Sequence, residues 1–152
     1  MLALTALAVG VSGTAIAQNI FGDPGSGTVR LEYGFIPDPY TRNVVSGGTV
    51  DASNLGGSCV GYIADDPDVR LKYEALSGGN SLYVSVNSGQ DTTLVINAPN
   101  GRWYCDDDSG SGTDPMIAFN PAQSGDYEIW IGSYDRGEYH ETTLKISELS
   151  GG

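Results

Sequence analysis

The chain has 152 residues, which suits one domain, and 39% of them are hydrophobic, which is enough for a core. It carries 19 acidic against 7 basic residues, a formal net charge of −12. Such a surface makes nucleic acid and anionic membranes poor partners, and it favours cations or a partner that offers lysine and arginine. The 22 glycines and the lack of clear helical periodicity predict an all-β fold with many tight turns.

The first 17 residues are apolar and end in small residues, a pattern typical of a secretory signal peptide cleaved before Gln18. The segment is short for a membrane span. A signal peptide usually has a positively charged start, and no lysine or arginine precedes this apolar run. Two interpretations are therefore possible: residues 1–17 are removed, or they are retained as an apolar arm. Residues 18–27, rich in glycine, are interpreted as a linker or arm.

Alternating hydrophobic and polar residues predict about nine short strands between residues 28 and 149. The clearest is 81–87, where Leu82, Val84 and Val86 face inward. No strand is assigned between the turn signals at 37–39 and 46–48. The spacing of the strands is typical of an antiparallel β-sandwich of jelly-roll type. Other predicted strands include 28–35, 59–63, 69–75, 127–133 and 142–148.

Residues 91–108 predict a β-hairpin, on which much of the functional interpretation depends. The β-branched run 92–97 is followed by turn chemistry at Pro99, Asn100 and Gly101 and by a return strand at 102–105. In a hairpin, the start of the first strand lies beside the end of the second. The acid at the entrance and the acids at the exit are therefore expected to converge.

The converging carboxylates predict a calcium site, because hard oxygen ligands select Ca²⁺ and clustered carboxylates repel without a cation. The alternative is a solvated acidic turn. An EF-hand starting at Asp107 is rejected because its twelfth position is Ala118 rather than a glutamate. The acidic turn 65–68 is a weaker second candidate. The expected ligands are Asp91, Asp106, Asp107, Asp108 and Asp114.

The two cysteines, Cys59 and Cys105, do not belong to a CxxC motif, which leaves zinc and thioredoxin-like chemistry unsupported. In an exported protein they are expected to form a disulfide. The alternative is two unrelated buried thiols.

Six short motifs follow one another along the chain: DTTLVI at 91–96, PNG at 99–101, DDD at 106–108, IAF at 117–119, SGDYEIWI at 124–131 and TLKI at 143–146. Their order resembles the bacterial pre-peptidase C-terminal (PPC-like) domain over residues 28–149. The resemblance implies a β-sandwich of the kind appended to secreted enzymes, in which some relatives bind calcium and some bind collagen or other matrix. No catalytic domain accompanies the module in these residues, so an accessory role in the same chain is less expected.

No catalytic constellation is expected. Ser109 follows an aspartate and precedes a glycine, but no G-x-S-x-G elbow is present and the one histidine, His140, lies in a polar loop. Carbohydrate binding through Trp103 and Trp130 is an alternative, although aromatic residues in sandwiches more often pack in the core.

The sequence therefore predicts a secreted, extracellular or cell-surface, non-catalytic calcium-binding module. We expect it to act as a structural protein that self-assembles into a homo-oligomer or filament, through an exposed edge strand and the N-terminal arm. The alternative is a monomeric accessory module that binds matrix or carbohydrate.

Overall fold

The computed structural model describes residues 18–150, which form eleven strands and one short 3₁₀ helix, Ala52–Leu55. The predicted segment 1–17 lies outside the described residues. The strands are β1 Thr28–Glu32, β2 Tyr40–Val45, β3 Val50–Asp51, β4 Tyr62–Ile63, β5 Val69–Glu74, β6 Leu82–Asn87, β7 Thr92–Asn97, β8 Trp103–Asp106, β9 Met116–Phe119, β10 Gly125–Ser133 and β11 Glu141–Ser147.

The strands form the two sheets of a β-sandwich, as predicted. The first sheet has seven strands and is organised around β10, which pairs with β7 on one side and with β5 and β4 on the other. Strand β8 extends it beyond β7, and β1 extends it beyond β5 in parallel. The second sheet has the order β2-β11-β6-β9 and is antiparallel throughout.

The main core lies between the two sheets, and the predicted alternation accounts for it. Leu82, Val84 and Val86 are buried there, as are Tyr127, Ile129 and Ile131 on β10. Alternation places every second residue of a strand on one face, so these residues meet the inward residues of the opposite sheet.

A second apolar cluster covers part of the outer face of the seven-stranded sheet. Trp130 is fully buried there with Val95 and Cys59, under the segment that contains the 3₁₀ helix. Strand β10 is therefore covered on both faces, and Glu128, which alternation places outward, is also buried.

Three sequence-based predictions differ from the structure. The strands number eleven rather than about nine. Strand β2 was not predicted, because its less exposed positions carry Tyr40, Arg42 and Val44, and the arginine interrupts the hydrophobic alternation. Of the predicted strand 59–63 only Tyr62–Ile63 is extended, since Cys59 and its neighbours form the covering loop instead.

Residues 18–27 form an arm that is docked on the sandwich of the same chain. Gln18 is buried, and its side-chain amide donates to the carbonyl oxygens of Ala64 and Asp65. Farther along, Gly25 donates to Pro67 O (2.9 Å) and Ser26 to Asp68 O (2.7 Å). Although the segment is rich in glycine, these hydrogen bonds hold it in place. Among residues 18–150, no helix is long and apolar enough to cross a bilayer.

Candidate metal centre

The 91–108 hairpin forms with the predicted turn. Gly101 has φ +75 and donates to Ala98 O at 2.8 Å, so glycine supplies the positive φ that the turn requires. The register pairs Leu94 with Asp106 and Asn97 with Trp103. Residue 91 and the aspartates that follow β8 consequently lie at the same end of the hairpin.

Three of the five predicted ligands are close together. One carboxylate oxygen from each of Asp106, Asp107 and Asp108 lies within 4.8 Å of the others. Asp106 and Asp107 are partly buried, whereas Asp108 is exposed. Three oxygens at such separations could share one hard cation, with water completing its shell.

Asp106 also stabilises the loop that follows it. Its Oδ2 accepts from the backbone N–H groups of Ser109 (2.9 Å) and Met116 (2.8 Å), and its Oδ1 accepts from Ser109 Oγ (2.5 Å). Because Met116 begins β9, this carboxylate links the edges of the two sheets. Asp107 and Asp108 are the more available ligands.

Asp107 is in an acidic environment. Its pKa is raised, first by partial burial of the carboxyl group and then by the charges of neighbouring acids. These neighbours are Asp108, Asp106 and Asp91. Asp91 is therefore close enough for its charge to act on Asp107, but its carboxylate is not one of the three grouped oxygens.

Asp114 makes different contacts. Its side chain is buried, with Oδ1 accepting from Ser88 N at 3.0 Å and Oδ2 at 3.5 Å from Asn87 Nδ2. Its carbonyl oxygen accepts from Gly110 N at 2.8 Å, which closes the loop. The carboxylate thus caps the turn after β6 rather than joining the three grouped oxygens.

The second acidic turn contains a carboxylate whose role sequence reasoning missed. Asp68 Oδ2 accepts from Ile131 N at 2.7 Å, at the gap where β10 passes from β5 to β4. Gly47 N donates to Ile131 O at 2.9 Å in the same gap. Burial raises the pKa of Asp68 to about 7, and the Ile131 hydrogen bond opposes this. Its position depends on long-range pairing, which no local signal reveals.

The two residues considered for catalysis, Ser109 and His140, each contact a different acidic side chain. Ser109 Oγ donates to Asp106, and a ring nitrogen of His140 lies 3.3 Å from Glu138 Oε2. Within residues 18–150, no hydrogen bond joins Ser109 to His140.

The two tryptophans have different environments. Trp130 is completely buried, so it offers no face to a sugar. Trp103 is partly exposed and packs on Trp130 with ring centroids 5.4 Å apart.

Cys59 and Cys105 form the predicted disulfide, with Cα atoms 4.9 Å apart. Because Cys105 precedes Asp106, the bridge fixes the strand from which the acidic loop departs. The covering loop is also held by Ser58 Oγ, which donates to Cys105 O at 3.2 Å.

No family model matches the sequence, and no curated protein matches it. Among solved structures, the fold is similar to the pre-peptidase C-terminal domain of collagenase from Bacillus anthracis. That match has 15% identity and a TM-score of 0.48, and it covers 83% of this chain and 100% of that domain. A second match is PliG from Aeromonas hydrophila, a periplasmic inhibitor of g-type lysozyme, with 14% identity, a TM-score of 0.39, and coverage of 83% and 98%. The first is a domain of the family that the sequence motifs resemble.

Proposed function

We propose that this chain is an exported, non-catalytic β-sandwich module that binds calcium at the loop after β8. The observation that carries the proposal is the grouping of the Asp106, Asp107 and Asp108 oxygens within 4.8 Å. Asp91 adds a fourth negative charge that acts on Asp107. Calcium accepts flexible oxygen coordination, so two or three carboxylates and water can form its shell.

Export and the absence of catalysis are parts of the same proposal. The Cys59–Cys105 disulfide supports an oxidising compartment, since such bonds persist outside the cytosol. Ser109 hydrogen-bonds to Asp106, which supports a structural role for this hydroxyl rather than a nucleophilic one.

Removing calcium is expected to lower the melting temperature of the wild-type protein. A ligand that binds only the native state stabilises it by mass action, by ~1.4 kcal/mol when free calcium is ten times its Kd. The double variant Asp107→Asn/Asp108→Asn should melt at the same temperature with calcium and with chelator. The control is Asp135→Asn, an exposed acid in the loop between β10 and β11.

Scanning calorimetry in calcium and in chelator provides the measurement. If chelator leaves the wild-type melting temperature unchanged, or lowers that of the double variant equally, the acidic loop does not bind calcium.

We further propose that the module has a structural role and assembles with other copies of itself. Strands β1 and β2 are edge strands that each pair on one side only within residues 18–150. Edge strands accept strands from other chains. Two large apolar side chains are also exposed, Ile36 at 93% and Leu149 at 79%. Their segments lie side by side, since Gly34 N and Glu148 Oε2 are 2.9 Å apart.

Assembly is expected to require calcium, because −12 charges per chain oppose close packing unless cations reduce the repulsion. Light scattering and electron microscopy of the full chain should detect large species in calcium and monomers in chelator. The variant Ile36→Glu/Leu149→Glu should stay monomeric in both. A wild-type monomer in both conditions would contradict assembly and favour a monomeric accessory module.

A further inference from the structure

A row of three polar residues and one tryptophan, here called the polar row, crosses the outer face of the seven-stranded sheet beside its apolar cluster. Arg70, Glu128, Asn97 and Trp103 lie directly opposite one another on β5, β10, β7 and β8. With adjacent strands ~4.8 Å apart, the row is ~14 Å long. The neighbouring row, which contains Trp130 and Val95, is covered by the disulfide-linked loop. The polar row is not covered by that loop.

Glu128 is the unusual member of this row. Its side chain is 8% exposed, and its Oε1 accepts from Arg70 Nε at 2.6 Å. Its Oε2 is buried and has no hydrogen-bond partner within residues 18–150. A buried carboxylate oxygen without a donor costs free energy, so this atom favours a ligand that donates a hydrogen bond.

The polar row lies under two grooves that meet at one aromatic side chain. Phe21, on the docked arm, is 87% exposed. On one side of it, a groove of ≈ 590 Å³ is lined by Arg70, Asn97 and Glu128. On the other side, a groove of ≈ 620 Å³ is lined by Asn97 and Trp103. Volumes of this order accommodate small ligands or short segments of a polymer.

The arm holds Phe21 in this position through contacts with the same row. Arg70 Nη2 donates to the carbonyl oxygens of Ile20 (3.3 Å) and Gly22 (3.0 Å), on either side of Phe21. Asn19 Nδ2 donates to Asp66 Oδ1 at 2.6 Å. The exposed ring is thus presented by a segment with fixed ends, which lowers the entropy lost on binding.

We propose that this surface binds a neutral carbohydrate chain. Phe21 and Trp103 offer aromatic faces to the apolar C–H faces of sugar rings, and a rotation of the Glu128 carboxylate would let its unpartnered Oε2 accept from a hydroxyl. One N–H of the Asn97 amide donates to Gly101 O at 3.3 Å, which leaves its other N–H and its oxygen for a ligand. The Arg70–Glu128 pair is neutral as a unit, and the net charge of −12 opposes anionic glycans. The site is separate from the acidic loop, so it does not depend on calcium binding.

A basic peptide is the competing ligand, because Asp126 and Asp65 also line the two grooves. Its ammonium or guanidinium group would approach Glu128 beside Arg70 and Asp126 beside Lys72, and these ion pairs reduce the attraction at both carboxylates. A neutral sugar hydroxyl does not depend on that attraction. The long-range field of the acidic chain would still attract cationic peptides, so the test includes one.

The test is calorimetric titration of the full chain with neutral hexasaccharides: cellohexaose, xylohexaose, mannohexaose, maltohexaose and chitohexaose in its N-acetylated form. We expect at least one to bind, and Phe21→Ala to weaken that binding about tenfold or more, as for a central aromatic contact. Glu128→Gln should also weaken it. The matched control is Tyr139→Ala, which removes another exposed aromatic ring (58%) far along the chain.

Phe21→Ala removes a side chain that is almost wholly exposed, so its fold should be preserved, and circular dichroism checks this. Binding of no hexasaccharide would overturn the proposal. Binding that is equally strong in Phe21→Ala would overturn it too. If hexalysine alone binds, and does so through Phe21 and Glu128, the site serves a basic partner and the carbohydrate proposal is wrong.

Discussion

Replacing both cysteines with alanine is expected to lower the free energy of unfolding by about 4 kcal/mol in the chain-entropy model, given the sequence separation of 46 residues. The bridge also holds the loop that covers Trp130 and Val95. Alanine avoids placing a serine hydroxyl at buried Cys59. Urea unfolding of the wild-type and Cys59→Ala/Cys105→Ala proteins measures the difference.

The bridge should also affect the acidic loop, because Cys105 directly precedes Asp106. We therefore expect weaker calcium binding in the alanine variant and in reduced wild-type protein. A free energy of unfolding within ~0.5 kcal/mol of the wild-type value would show that the bridge contributes little, since effects of that size are common for surface substitutions.

Replacing Asp68 with asparagine is expected to stabilise the protein above about pH 7 and to remove part of its pH dependence. The difference between a folded-state pKa of about 7 and the ordinary 3.8 corresponds to at most ~4 kcal/mol. Asparagine keeps an oxygen that can accept from Ile131 N without carrying the buried charge.

The direction of this pH dependence follows from proton binding. As pH falls below about 7, folded Asp68 takes up a proton that the unfolded chain does not bind until near pH 3.8. The stabilisation from this group therefore grows between these values, is complete below the lower one, and is lost as pH rises through about 7.

The free energy of unfolding, measured with denaturant across this pH range, should change less with pH in Asp68→Asn than in the wild type. Asp65→Asn is the control, because Asp65 lies in the same turn and is exposed. If the free energy of unfolding varies equally with pH in the wild-type and Asp68→Asn proteins, the ionised Asp68 carboxylate does not destabilise the folded state.

Much of the sandwich could be predicted because its signals are local. The alternation in β6 and β11 places Leu82, Val84, Leu144 and Ile146 in the core. The turn at 98–101 requires positive φ at Gly101, and the sequence supplies glycine there. A hairpin also fixes its own register, so the proximity of Asp91 to the aspartates after β8 could be anticipated.

Features set by distant contacts could not be predicted. Within residues 18–150, strand β2 pairs with β11 alone, and β1 pairs in parallel with β5; local alternation does not encode either pairing. The arm docks through the polar side chain of Gln18, and nothing in the local sequence indicates that this side chain is buried. Glu128 is buried beside Arg70, which also binds the docked arm, so its burial depends on contacts between distant parts of the chain.

Calorimetric titration of the apo protein with calcium measures directly whether the loop after β8 binds the ion. We predict saturable binding with a Kd of roughly 10⁻⁴–10⁻³ M, the range of extracellular modules. Asp107→Asn/Asp108→Asn should abolish the signal, whereas Asp135→Asn should retain it. Calcium uptake that is absent in the wild type, or unchanged in the double variant, would show that this loop is not a calcium site.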